Sequence, residues 1–100
     1  MQINYFLPYF KVVLAGNRLS ILTKRIFMGR RAVQRLFLNN TALEVIAEEA
    51  LDSMEALDTL HLESNLLESL REDTFKYQRS LKRLYLHHNR LRSLVCVNTI

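Results

Sequence analysis

The side chains in this sequence that could carry chemistry are the three histidines, His61, His87 and His88, together with Glu63. Imidazole and carboxylate groups serve as zinc ligands and as acid–base catalysts. Their spacing matches no metal-binding pattern, and the adjacent His87 and His88 point to opposite faces of an extended chain. The sequence also contains no nucleophile–base–acid set, phosphate-binding glycine loop or paired-carboxylate site. It therefore predicts a protein that is not an enzyme, with no metal and no cofactor.

The elements that position these side chains repeat at a fixed interval, because four stretches superimpose at an offset of 24 residues. They read Tyr9-x-x-Val12-x-Leu14-x-x-Asn17-x-Leu19, Val33-x-x-Leu36-x-Leu38-x-x-Thr41-x-Leu43, Leu57-x-x-Leu60-x-Leu62-x-x-Asn65-x-Leu67 and Leu81-x-x-Leu84-x-Leu86-x-x-Asn89-x-Leu91. A period of about 20 to 50 residues indicates a stacked array of repeats.

Within each repeat the short apolar segment alternates, as in Leu60-His61-Leu62, and alternate residues of a strand point to opposite faces. The leucines therefore face inward. One such strand cannot bury its apolar side alone, whereas equivalent strands stacked side by side share a continuous core. The sequence predicts one parallel sheet with strands over residues 11–15, 35–39, 59–63 and 83–87.

The pattern L-x-x-L-x-L-x-x-N-x-L resembles the leucine-rich repeat family. The resemblance implies an α/β solenoid, a right-handed curved array with a short-stranded parallel sheet on its concave face and loops or short helical turns on its convex face. It also implies a structural asparagine ladder, in which a buried side chain after each strand bonds the backbone of the adjoining turn. The positions of that ladder are Asn17, Thr41, Asn65 and Asn89.

The variable half of each repeat favours one subclass of the family. Phe27, Leu51 and Phe75 share one position, and with the repeat length of 24 residues they are similar to the typical animal extracellular type, as in Toll-like receptors and small leucine-rich proteoglycans. Arg30 and Gln78 occupy a site that is usually apolar in the family. We therefore expect looser packing on the convex side of the first and third repeats.

The repeat register divides the chain into one solenoid segment covering residues 1–100. The repeats span about 9–32, 33–56, 57–80 and a partial 81–100, with 1–8 as the end of a preceding repeat. Polar capping repeats are normally needed at the ends of such an array, and neither end shows one. We expect a fragment of a longer protein. The alternative is a small complete protein with poor caps, which would tend to associate edge to edge.

The outward strand positions form three columns across the sheet, namely Lys11–Arg35–Thr59–Arg83, Val13–Phe37–His61–Tyr85 and Ala15–Asn39–Glu63–His87. Exposed aromatic side chains flanked by arginine are typical of interface anchors, although ring columns also stabilise sheets by cross-strand packing. The sequence predicts a protein-binding surface on this face. Its candidate residues are Lys11, Val13, Arg35, Phe37, Asn39, Thr59, His61, Glu63, Arg83, Tyr85 and His87.

Charge is divided into blocks along the chain, although the net charge is only +4. Residues 1–43 carry seven bases and no acid, residues 44–73 hold all ten acids and one base, and residues 74–100 carry six bases. Most acids, among them Glu48, Glu49, Glu55 and Glu72, fall after the strands, where a solvated face or charge-guided docking would use them. The central acidic block argues against a nucleic-acid partner.

The compartment is not fixed by the sequence. Residues 1–16 only weakly resemble a signal peptide, and no run reaches the roughly 20 apolar residues of a transmembrane helix. Cys96 is the one cysteine, and Asn39-Asn40-Thr41 makes Asn39 a candidate glycosylation site, although the ladder needs Thr41 inside. The resemblance favours an extracellular or cell-surface protein with a receptor or adhesion role. The alternative is a cytoplasmic scaffold or adaptor in signalling, which the lone cysteine favours.

Overall fold

The computed structural model describes residues 2–3, 10–71 and 73–94. Its elements are short strands and a single helical turn, separated by turns. In chain order they are β1 (Gln2–Ile3), β2 (Phe10–Val13), β3 (Ile21–Leu22), α1 (Lys24–Phe27), β4 (Val33–Phe37), β5 (Val45–Ile46), β6 (Thr59–His61), β7 (Ser69–Leu70), β8 (Arg83–Tyr85) and β9 (Ser93–Leu94).

The main sheet has five strands in the order β1-β2-β4-β6-β8. Strands β2, β4, β6 and β8 are parallel, with Leu36 opposite Leu60 and Leu60 opposite Leu84. The predicted parallel sheet and its columns through Arg35 and Phe37 are thus confirmed. The strands end sooner than predicted, so the third column of outward residues lies just beyond them.

A residue in the left-handed backbone conformation follows the strand of every repeat. Gly16, Asn40, Ser64 and His88 stand 24 residues apart and have φ angles of 84°, 57°, 58° and 58°. Only the first is glycine, the residue that adopts this conformation without a steric cost. The repeat period therefore fixes a backbone turn as well as the side-chain pattern.

Strand β1 does not follow the repeat register. The register assigns residues 1–8 to the end of a preceding repeat, which would put Gln2 and Ile3 on the convex side. Instead they pair antiparallel with β2, Gln2 opposite Val13 and Ile3 opposite Val12. That assignment is wrong for these two residues, which lie in the main sheet along the outer edge of β2.

The second half of each repeat forms narrow parallel pairs, β3 with β5 and β7 with β9. In the first pair, Leu22 and Ile46 point inward and are buried, while Ile21 and Val45 point outward and are exposed. Together with the main sheet these pairs make an α/β solenoid whose helical part is one turn, α1.

The core lies between the two layers and is filled by the inward leucines and valines. Val12, Leu36 and Leu60 are at most 1% exposed. Leu84 and Leu86 of the last repeat are only partly buried against this core, because β8 is the final strand of the sheet within the described residues.

On the convex side, Phe27, Leu51 and Met54 are buried, and Gln78 is also buried although it is polar. The Gln78 amide donates from Nε2 to the Leu51 carbonyl. Its Oε1 is enclosed without a hydrogen-bond partner among the described residues. The departure of Gln78 from the repeat pattern therefore places a polar group inside, rather than turning it out to solvent.

Candidate functional site

The outward rings of β4, β6 and β8 stack on one another, and we call Phe37, His61 and Tyr85 the ring ladder. The Phe37 and His61 centroids are 4.5 Å apart with planes at 11°. Those of His61 and Tyr85 are 4.4 Å apart at 10°. The three residues share one register position, and neighbouring strands lie about 4.8 Å apart, close to the stacking distance of rings.

The ring ladder has a further contact at each end. The Lys11 ammonium lies over the Phe37 ring, 5.2 Å from its centroid. At the other end the His87 ring forms a T-shaped pair with Tyr85, at 6.4 Å and 84°. The faces inside the stack and the outer face of Phe37 are therefore occupied within the protein, and the ring edges are what the stack presents outward.

Glu63 fixes the orientation of His61. The imidazole Nδ1 lies 3.2 Å from Oε1 and 3.1 Å from Oε2 of the carboxylate, so a proton on Nδ1 is donated to Glu63. The two side chains are 21% and 19% exposed. The sequence predicted both on this face but not their contact, although strand residues two apart share a face and this spacing allows it.

The flanking columns contain cations and polar groups. Arg83 and His87 are exposed, whereas Lys11, Val13, Arg35 and Asn39 are half-buried, as are the ring ladder and Glu63. Thr59 was also predicted to contact a partner, and that stays a prediction, although the side chain is nearly enclosed. It is 6% exposed, and its hydroxyl donates to the Asp58 carboxylate at 3.1 Å.

The asparagine ladder is built most completely at Asn65, which is buried. Its Oδ1 accepts the backbone N–H groups of Thr41 at 2.9 Å and Leu43 at 3.0 Å, both in the preceding repeat. Its Nδ2 donates to the carbonyls of Leu38 and Leu62, each at 2.9 Å. One carboxamide thus bonds the turns of two repeats.

The side chains at the other positions of that ladder form fewer buried hydrogen bonds. Asn89 accepts the Leu67 N–H at 3.0 Å and donates to the Leu62 carbonyl at 2.9 Å, but it is only half-buried. Thr41 is fully buried, and its hydroxyl bonds the Leu38 carbonyl at 2.8 Å. Asn17 makes the local bond of the ladder, from Nδ2 to the Leu14 carbonyl at 3.0 Å, but it is exposed and no bond from it to an adjoining turn is seen among the described residues.

Comparison with known proteins decides the family. The profile of the family described as leucine rich repeat matches residues 11–67 and 55–96, overlapping stretches that include all four strands of the parallel array. The chain belongs to the leucine-rich repeat family. No curated protein matches the chain.

As leucine-rich repeats, the four strands place the ring ladder on the concave face of the solenoid. The residues predicted for partner binding lie on this face or at its margin, apart from the enclosed Thr59. Proteins of this family generally act by protein–protein interaction and are typically not catalytic.

The candidate glycosylation site lies at the margin of this leucine-rich repeat face. Asn39 is half-buried with its Oδ1 enclosed and without a bonding partner in the described part of the chain. Thr41, the hydroxyl residue of the sequon, is 0% exposed and bonded inside the ladder. Modification of Asn39 stays a prediction, with the conflict between sequon and repeat now visible in the geometry.

Part of the acidic block lies away from the ring ladder, in a mixed-charge cleft. This cleft is lined by Glu48, Glu49, Asp52, Arg71 and Asp73 with four neighbours. The Arg71 guanidinium lies 3.9 Å from Oε1 of Glu48 and 3.3 Å from Oδ1 of Asp73. Burial raises the pKa of the Asp52 carboxyl. Lys76 lowers this pKa, and the carboxylates of Glu49, Asp73 and Glu48 raise it further. Glu72 is outside the described residues.

Two further features concern metals and membranes. No three His, Cys, Asp or Glu side chains in the described ranges 2–3, 10–71 and 73–94 are arranged to hold a metal ion. The same ranges contain no helix with the length and apolarity needed to cross a bilayer. Cys96 lies beyond them.

Proposed function

We propose that this leucine-rich repeat segment binds a protein partner on its concave face, with the ring ladder as the anchor. The observation that supports the proposal is the stack of Phe37, His61 and Tyr85, whose planes lie within 11° of parallel and whose edges face outward. Aromatic residues and arginine dominate the energetics of many protein interfaces.

The anchor is held in place before binding. Each ring of the ladder is confined by its neighbours, and His61 is also tied to Glu63 at 3.1 Å. Ordering a mobile side chain at an interface costs about 0.5–1.5 kcal/mol. A stacked ladder avoids much of that cost, which suits a binding surface.

We further propose that the protein acts outside the cell or at its surface, as a receptor or adhesion protein. The support is the 24-residue repeat with Phe27 and Phe75 at the position of the animal extracellular type. The alternative is an intracellular scaffold in signalling, which the single cysteine of the sequence favours.

The test is a binding screen with the complete 100-residue chain, displayed as a multivalent fusion against two arrays. One array carries secreted and cell-surface ectodomains, and the other carries purified cytosolic proteins. We expect a hit on the first array that is lost when Phe37→Ala and Tyr85→Ala are combined. The matched control is Met28→Ala, because Met28 is an apolar side chain that is 68% exposed just after α1, outside the main sheet.

The outcomes separate the two parts of the proposal. A partner that binds the double ladder variant as well as it binds the wild type would contradict the concave site. A ladder-dependent partner found only among cytosolic proteins would retain the site and replace the cell-surface assignment with the scaffold.

A further inference from the structure

The concave face presents ring edges and cationic side chains to a partner. An aromatic ring is negative on its face and positive along its edge. The faces of Phe37 and His61 are covered by one another, by Tyr85 and by Lys11, and Tyr85 is covered on the side of His61. The stack therefore presents mainly ring edge outward, which attracts carbonyl and carboxylate oxygens.

The charged side chains along the ladder add to this preference. Lys11, Arg35 and Arg83 occupy one column beside the rings. The carboxylate on the same face, Glu63, is bonded to His61. Asp58, which precedes β6, accepts the Thr59 hydroxyl at 3.1 Å. The acids of the mixed-charge cleft lie outside this face.

We propose that the partner contributes an acidic, extended polypeptide segment that lies across the strands along the ring ladder. The inference rests on the proposed function, because it specifies the chemistry of the partner at the same site. Arg35 and Arg83 are two strands apart, roughly 10 Å at the usual strand spacing. Acidic residues three apart in an extended polyproline-type segment project from one side at roughly 9 Å. Such a segment brings one carboxylate to each arginine.

Nucleic acid is also anionic, but the geometry favours a polypeptide. Proteins bind single strands by stacking bases on the faces of aromatic side chains. Here the faces inside the stack are already filled, with centroids 4.4 and 4.5 Å apart. Moreover, the buried Thr59 interrupts the column of Lys11, Arg35 and Arg83. The cationic side chains of this column therefore form no continuous row that could follow a phosphate backbone.

The experiment uses a random twelve-residue peptide library displayed on phage and selected on the immobilised full chain. The most enriched peptide is then synthesised, and its affinity is measured by fluorescence anisotropy at low and high salt. We expect enriched sequences with paired acidic residues. We also expect about two- to fivefold weaker binding for each of Lys11→Gln and Arg83→Gln, and weaker binding at high salt. Arg25→Gln, an exposed base in α1, is the matched control and should leave the affinity unchanged.

Three results would overturn the inference. Enriched peptides that are neutral or basic would exclude an acidic partner while leaving a ladder-dependent site intact. Tighter binding of a twelve-residue oligothymidine than of the peptide would assign the face to nucleic acid. Peptide binding that survives both Phe37→Ala and Tyr85→Ala would place the site elsewhere and contradict the proposed function itself.

Discussion

The side-chain oxygen of Asn65 accepts the backbone N–H of Thr41, 24 residues earlier, at 2.9 Å. This bond joins equivalent turns of consecutive repeats. Between the first two repeats the corresponding link is a backbone bond, from the Leu19 N–H to the Thr41 carbonyl at 2.9 Å. The asparagine ladder is therefore uneven, with its strongest junction in the middle of the described array.

That unevenness predicts a graded cost for one substitution made at three equivalent positions. Asn65→Ala should lower the free energy of unfolding by about 2–6 kcal/mol, because two buried N–H groups lose their acceptor at about 1–3 kcal/mol each. Asn89→Ala removes one such acceptor at a half-buried site and should cost about 1–2 kcal/mol. Asn17→Ala should cost less than about 1 kcal/mol. Urea denaturation of the three variants measures the order.

Thr41→Ala is the companion variant, and we expect it to cost less than Asn65→Ala. The Leu38 carbonyl that loses the Thr41 hydroxyl keeps its bond from Asn65 Nδ2 at 2.9 Å. Equal losses at positions 41 and 65, or a larger loss at 17 than at 65, would contradict the bonding described.

The ring ladder should contribute to stability as well as to binding. His61→Ala removes two stacking contacts, and aromatic pairs contribute about 0.5–1.5 kcal/mol each, so we expect a loss of roughly 1–3 kcal/mol. His61→Phe keeps both stacks and loses only the bond to Glu63, so it should cost less. Chemical denaturation compares the two variants. Equal losses would show that the Glu63 contact, and not stacking, stabilises the column.

The buried amide of Gln78 predicts a stabilising substitution. Its Oε1 has no partner among the described residues, while Met54, one repeat earlier, fills the equivalent site at 0% exposure. In Gln78→Met the Leu51 carbonyl still accepts the Met54 N–H at 3.0 Å. We expect a gain of about 1 kcal/mol in the free energy of unfolding. Gln34→Met, at an exposed position, is the control. If Gln78→Met gave no larger gain than Gln34→Met, the Oε1 atom of Gln78 would have a hydrogen-bond partner after all.

The raised pKa of Asp52 predicts a pH-dependent effect of removing its charge. Because its pKa in the folded protein lies above the ordinary value of 3.8, chiefly through burial, the fold favours the neutral carboxyl. The stability that this preference contributes is complete below pH 3.8 and is lost as the pH rises through the raised value. Asp52→Asn should therefore raise the thermal midpoint at pH 7, and the gain should shrink below pH 3.8.

The exposed Glu55 provides the control, since Glu55→Gln should change the midpoint little at either pH. A gain for Asp52→Asn that is as large in acid as at neutrality would mean that the amide stabilises the fold by some route other than the lost charge.

Periodicity in the sequence was enough to predict the parallel sheet and the columns of the concave face. A 24-residue repeat with alternating leucines allows one register, because a shift by one residue would turn Leu60 and Leu62 out to solvent. The position of Phe37, His61 and Tyr85 in one column follows from the same register.

The features that the sequence did not predict depend on what lies beside each repeat. Asn17 has the ladder residue type, but among the described residues its side chain bonds only within its own repeat, at the Leu14 carbonyl. Thr59 occupies the same outward column as Arg35 and Arg83, yet its side chain is short and is covered beside Asp58. Gln2 and Ile3 pair with β2 without any repeat pattern of their own.

The antiparallel strand β1 makes the two sides of the sheet inequivalent. It occupies the outer edge of β2 and is itself only two residues long, and very short edge strands pair poorly with other chains. Within the described residues, β8 is the other edge strand of the main sheet, and it is the edge that continues the parallel array. If two copies of the chain meet edge to edge, they can do so through one β8 edge each. Such a contact closes at a dimer and cannot propagate into a filament.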